Sequence, residues 1–178
     1  MGRDSDDAAA SLHLLDTHYR EHPTSGPSER RTPSVSPSAP LNLGILDHLD
    51  RCISEVVDHA RADAGDSLGP LPQRVRDVYD WWTENTADAD HEVQLRRDIV
   101  IYRQGLESAI RLGEYKRIRK HPCPACRTWG LQWQPHSGHA LCLNRRCRDR
   151  NGMARSWSLD RLATQYVTSQ ENRGRRAT

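Results

Sequence analysis

"HPCPACRTWGLQWQPHSGHALCLNRRC", residues 121–147, decides how the second half of this 178-residue chain folds. It holds four of the five cysteines, in the pattern Cys123-x2-Cys126-x15-Cys142-x4-Cys147. Each close pair brings two sulfurs onto one short loop, and four converging thiolates form the tetrahedral cage that Zn2+ takes, with Zn–S bonds of about 2.3 Å. Pro124 stiffens the first loop. The second loop, "CLNRRC", is longer than the commoner C-x2-C and therefore the looser of the two. Between them, "GLQWQ" and "HALCL" are short runs around "PHSG", whose Pro and Gly favour a turn, so the spacing predicts a hairpin. "MARSW", residues 153–157, is the candidate third strand. With all four cysteines used, no position is left for a catalytic water, which points to a single scaffolding metal.

Residues 119–157 resemble a zinc ribbon: two cysteine knuckles, a hairpin and a further strand. That fold serves many functions, so the resemblance implies a structural zinc and no particular activity. "YRQGLESAIR" running into "HPCPAC", together with "CLNRRC", is also similar to uncharacterised zinc-ribbon proteins of actinomycetes and their mobile elements, a resemblance that implies no activity either. A rubredoxin-like iron or iron–sulfur site and metal-free buried cysteines are the alternatives. Disulfides are disfavoured in a chain without a secretory signal. Three histidines lie near enough to compete as ligands. His139 stands three residues before Cys142 and so points to the other face of a strand. His136 falls in the turn, and His121 precedes the first knuckle by two residues.

The first half reads as helical. Residues 5–21 form a short amphipathic stretch with Ala8, Leu12, Leu15 and Tyr19 on one stripe and Ser5 as its cap. Residues 22–40, "HPTSGPSERRTPSVSPSAP", have little to bury and read as a disordered linker. Over 41–113 three helices are expected to make a small bundle. Leu46, Leu49, Ile53, Val56 and Ala60 stripe the first, with Cys52 as a small core residue on the same face. A second starts near Pro72 and carries Val75, Val78, Tyr79 and Trp82 inward, with Trp81 at the edge of the stripe. The third turns Leu95, Ile99, Tyr102, Leu106 and Ile110 inward and stops at Gly113. "EYKRIRKHPCPAC", residues 114–126, looks extended. "SLDRLATQYV" is a final helix capped by Ser158, so that 114–170 is a ribbon plus helix and 171–178 a basic tail. The expected fold class is α+β: a small helical bundle, then a three-stranded zinc ribbon and a C-terminal helix.

Charge divides the chain in the same place. Residues 1–110 carry 11 basic and 20 acidic residues, net −9, and residues 111–178 carry 15 and 4, net +11. A basic module beside an acidic one makes the basic one a candidate for nucleic acid, DNA or RNA. Lys116, Arg117, Arg119 and Lys120 approach the ribbon, and Arg127, Arg145, Arg146, Arg148, Arg150 and Arg155 lie around the knuckles. Arg grips phosphate with parallel hydrogen bonds, and Trp129 and Trp133 offer rings on which bases stack. The expected function is non-enzymatic nucleic-acid binding, with transcription regulation as the process it suggests. The opposing reading takes the arginines as a solvated face, with 24 Arg against 2 Lys across the chain. The ribbon then merely supports an adaptor whose helices, 5–21 and 41–113, bind a protein. A minor alternative is a metal-dependent nuclease using "DADHE", residues 88–92, although such acids more often favour the dipole of the helix that follows. No apolar run approaches the ~18 residues of a membrane span, and a cytoplasmic protein without a membrane partner is expected.

Overall fold

The structure is a computed structural model that describes residues 2–21, 43–65 and 68–177. Among these residues stand six helices and one three-stranded antiparallel sheet, an α+β fold. The helices are α1 (Gly2–Glu21), α2 (Leu43–Ala64), α3 (Val78–Asn85), α4 (His91–Arg111), α5 (Lys116–Arg119) and α6 (Leu159–Ala177). The strands are β1 (Leu131–Gln134), β2 (His139–Cys142) and β3 (Ser156–Trp157). The stretch expected as a linker lies outside the described residues. None of these helices is long and apolar enough to cross a membrane.

The first core lies among α1 to α4. In α2, Leu49, Cys52, Val56 and Ala60 are buried at helical spacing, and Cys52 takes the middle of the stripe. Trp82 and Tyr79 of α3 are fully buried against it. α3 begins later than Pro72 suggests: Arg74 is extended, and a single 3-10 turn at Val75–Asp77 leads into the helix. Trp81, at the edge of the stripe, is half-buried and donates its indole N–H to the Gly69 carbonyl at 3.2 Å. α1 docks on this body through buried Ala8, Leu12 and Leu15. Gly105 of α4 makes that approach possible, because a β-carbon there would stand 3.1 Å from the Ala8 β-carbon.

α4 is the spine of the molecule. The stripe expected for it was too narrow: Leu95, Ile99, Tyr102 and Ile110 are only half-buried. Leu106 is buried as expected, and Arg97, Val100, Ile101, Gln104, Gly105, Ser108 and Ala109 are buried with it. A helix with neighbours on several sides buries several faces, so a one-stripe pattern under-reads it. Its buried Gln104 and Arg97 side chains are partnered. Tyr79 donates to Gln104 at 2.8 Å, Gln104 donates to Glu55 at 2.8 Å, and Arg97 donates to Thr86 at 2.9 Å. The helix ends as its glycine suggests. Gly113 lies at φ 79°, its N–H reaches the Ile110 carbonyl, and Glu114 N–H reaches that of Ala109, the paired bonds of a Schellman stop.

The second core is built around the sheet from Leu106, Ile118, Leu131, Ala140, Leu159, Leu162 and three of the cysteines. Residues 116–119, expected as extended, form one helical turn that turns Ile118 inward and leaves Lys116, Arg119 and Lys120 exposed. The hairpin pairs Leu131 with Cys142 at one end and Gln134 with His139 at the other. β3 is short, pairing Ala140 with Trp157. Ser158 accepts the Arg161 N–H at the start of α6. α6 then runs through to Ala177, so the residues expected as a tail continue the helix.

Candidate metal centre

Cys123, Cys126, Cys142 and Cys147 converge, their four sulfurs all within 4.8 Å of one another. Cys123 and Cys147 stand 3.8 Å apart at sulfur, and Cys126 and Cys142 3.7 Å. A disulfide needs about 2.05 Å, so these are not bonded pairs. A regular tetrahedron with metal–thiolate bonds of about 2.3 Å has edges of about 3.8 Å. The separations therefore fit four ligands around one ion.

Backbone hydrogen bonds shape each knuckle. In the first, Arg127 N–H reaches the Cys123 carbonyl and Cys123 N–H the Thr128 carbonyl, both at 2.9 Å. Arg127 takes φ 59°, the left-handed value this tight reversal needs. Thr128 places its hydroxyl 2.9 Å from the Cys126 sulfur. In the second, the Asn144 carbonyl accepts Cys147 N–H at 2.8 Å and its side chain accepts Arg146 N–H at 3.0 Å. That side-chain turn absorbs the two extra residues of the longer loop. The knuckles are then stitched together: Leu143 N–H reaches the Gly130 carbonyl, and Cys142 N–H that of Arg155.

The thiols are unequal. The Thr128 hydroxyl and amide bring the Cys126 thiol down to about 6, whereas burial pushes Cys147 up to about 12 and also raises Cys142. A divalent ion within bonding distance favours the thiolate at every one of them. The histidines stay outside the cage. His136 and His139 are exposed, and His121 is buried against Tyr102, 3.2 Å from its hydroxyl. His121 also meets the stacked rings of Tyr102 and Tyr166 edge-on, and Gln165 of α6 donates to the Pro122 carbonyl, so the approach to the first knuckle is pinned to α4 and α6.

The basic residues singled out from sequence fall into two groups. Arg127, Arg145, Arg146 and Arg150 are exposed around the knuckles, as are Lys116, Arg119 and Lys120 on α5, while Arg117 pairs with Glu114 at 3.3 Å. Arg148 and Arg155, although exposed, hold loops: Arg148 donates to the Arg145 and Gly152 carbonyls, and Arg155 to that of Arg148. Trp129 is 69 % exposed, beside Leu143 at 57 %. Trp133 is half-buried against the second core. Asp88, Asp90, His91 and Glu92 are exposed, and His91 pairs with Glu171 of α6. They are not among the metal-sized clusters of the described residues.

One cluster was not anticipated. His48, Cys52 and Glu107 bring a ring nitrogen, a sulfur and a carboxylate oxygen within 4.8 Å. His48 touches Ser108 at 3.1 Å and Arg51 at 3.3 Å. Burial, followed by Arg111, Arg51 and Arg103, lowers the His48 ring to about 4, and burial raises the Cys52 thiol to about 12. Three arginines around it oppose a bound cation, so the cluster is a polar knot in the helical body. Only the i, i+4 spacing of His48 and Cys52 hinted at it in the sequence.

No family model matches the chain, and neither a curated protein nor a solved structure matches it.

Proposed function

We propose that the chain is a non-enzymatic nucleic-acid-binding protein whose four-cysteine cage holds one structural zinc. Four thiolates at tetrahedral spacing are the donor set zinc favours, and they leave no ligand position for chemistry. The ion would fix the two knuckles relative to each other; it takes part in no reaction.

The observation that carries the binding reading is an imbalance of charge. Residues 115–159 contain ten Lys and Arg but one acid, Asp149. Its carboxylate accepts the Asn151 and Met153 amides at 2.9 and 2.8 Å, closing the loop after Cys147. Among the described residues no ion pair engages Arg127, Arg145, Arg146 or Arg150. Cations with no local acid suit phosphates, and Trp129 beside them suits a base. This is the chemistry that transcription regulators use to hold DNA or RNA.

The test is a binding titration of the zinc-loaded chain with labelled single-stranded and duplex oligonucleotides across a salt series. Affinity should fall steeply with salt. Replacing Arg145, Arg146 and Arg150 together with Ala should weaken binding at least about tenfold while the metal stays bound. Arg148 is left intact because its guanidinium supports the loop. Failure of the folded, zinc-loaded chain to bind any strand at low salt refutes the reading. The adaptor alternative has one observation in its favour, the exposed apolar trio Trp129, Leu143 and Met153 on the ribbon. α1 favours it less, since Ala8, Leu12 and Leu15 are spent inside the protein's own core.

A further inference from the structure

A cleft of about 420 Å³ runs between the helical body and the ribbon, lined by Arg51, Arg111, Tyr115, Ile110, Trp133 and Leu159 among others. It opens at the turn end of the hairpin. Trp133 and Pro135 border it, whereas the cage holds the other end, where Leu131 pairs with Cys142. At about 3.4 Å per residue the two ends are roughly 10 Å apart, so the cleft is separate from the knuckle surface.

Its cations differ in their commitments. Arg103, at the back, gives Nε to Asp160 at 3.0 Å and its two other nitrogens to Glu107 and Glu55, so all its donors face acids. The one carboxylate in the lining, Glu107, is taken by that arginine. Arg51 reaches only the His48 ring, at 3.3 Å, and Arg111 the Gly44 carbonyl, at 3.3 Å. No ion pair engages either among the described residues. Two guanidiniums with no ion pair among the described residues, on adjacent helices, therefore front a cavity whose other walls, apart from the paired Arg103 and Glu107, are aromatic and aliphatic. Tyr115 is 44 % exposed and Trp133 half-buried there. A cavity of a few hundred Å³ in which convergent charged groups face apolar and aromatic walls, here in about equal number, can seat a ligand that is itself part anion and part aromatic ring.

We infer that this cleft binds a nucleoside monophosphate, its phosphate on Arg51 and Arg111 and its heterocycle against Tyr115 and Trp133. Guanidiniums match phosphate oxygens in parallel pairs, and aromatic faces match a base. The same chemistry comes from a free nucleotide or from the 5′-terminal nucleotide of a strand. The inference does not depend on the knuckle arginines.

The test uses the full, zinc-loaded chain and calorimetric titration with adenosine and uridine 5′-monophosphates, inorganic phosphate, and one tetranucleotide with and without a 5′-phosphate. A nucleotide should bind at one per chain and more tightly than inorganic phosphate. Arg51→Gln with Arg111→Gln should weaken it at least about tenfold. Tyr115→Leu, at an exposed position, should weaken it about threefold or more. The triple knuckle substitution should leave it unchanged. Preference for the 5′-phosphorylated tetranucleotide assigns the site to strand ends; equal binding of the mononucleotide assigns it to free nucleotides. Absence of saturable binding by either nucleotide or phosphorylated strand at millimolar concentration overturns the inference. So does nucleotide binding that survives both cleft variants. Longer strands that bind only through the knuckles leave the proposed function standing without the cleft; nucleotide in the cleft with no strand binding does the reverse.

Discussion

Replacing His48 with Leu should make the protein less stable at neutral pH and more stable in acid. The ring is fully buried, 3.1 Å from the Ser108 hydroxyl, with Glu107 4.0 Å away and Arg51, Arg103 and Arg111 near it. Burial and those arginines lower its folded value from 6.5 to about 4. The unfolded chain therefore takes up a proton that the folded chain refuses, and stability falls as pH drops from about 6.5 to about 4. A gap of about 2.5 units corresponds to about 3 kcal/mol. The Leu variant has no such term, but it loses the hydrogen bond to Ser108, at about 1 kcal/mol. Wild type should thus be the more stable by about 1 kcal/mol at pH 7, with the two curves crossing near pH 6 and the variant ahead by about 2 kcal/mol at pH 4. Urea unfolding followed by far-ultraviolet circular dichroism, at half-unit steps of pH, measures both curves. Thiolate protonation and any loss of metal occur in both proteins and cancel in the difference. Curves that run parallel from pH 7 to 4 would refute the reasoning, because they would mean that the buried ring accepts its proton in place.

Chelation of the metal should remove amide-exchange protection from residues 121–157 and leave most of it in α2, since none of the four cage cysteines belongs to the first core. Unchanged protection across the ribbon would show that the cage is not metal-dependent. Arg103→Met should cost about 2 kcal/mol by thermal unfolding. It leaves Glu55 and Glu107 facing each other, and both keep enough solvent to soften the penalty. Arg96→Met should cost at least as much, because it leaves the Asp63 carboxylate, only 3 % exposed, without its partner. Gly105→Val should force α1 off α4 or strain it, costing about 1–3 kcal/mol. Faster proteolysis within residues 5–17 than in α2 is the expected sign, and an unchanged cleavage pattern the contrary one.

Some of this was legible in the sequence for a physical reason. α2 and α6 face the core on one side, so the apolar period of Leu49, Val56 and Ala60, or of Leu159, Leu162, Ala163 and Val167, translates directly into burial. The four cysteines were legible because loop spacing alone constrains where sulfurs can meet. What stayed hidden depends on partners distant in sequence. α4 has neighbours on several faces, so buried Gln104 and Ser108 look like surface residues until Tyr79 and His48 arrive. Gly105 looks like a helix weakness until Ala8 is set against it. Arg148 counted as one more ligand-seeking cation, although its bonds to two carbonyls make it part of the loop. Asn144 and Thr128 have no periodic signature, since small polar residues in a knuckle show their role only once the loop is closed.

The two cores bear on how far the ribbon is a unit of its own. Apart from cysteines, the sheet supplies only Leu131 and Ala140 as fully buried apolar residues of the second core. Leu106 comes from α4, Ile118 from α5, and Leu159 and Leu162 from α6. Two buried side chains from the strands cannot close a core, so the four-cysteine cage and borrowed helices must both contribute. The borrowing is reinforced from outside, by Arg103 reaching Asp160 across α4 and α6 and by the stacked Tyr102 and Tyr166 over His121. The division in charge at about residue 110 is therefore not a division in structure. α4 belongs to both halves, and the basic ribbon packs directly on the acidic body. That packing is what lets Arg51 and Arg111 of the body share one cleft with Trp133 of the ribbon.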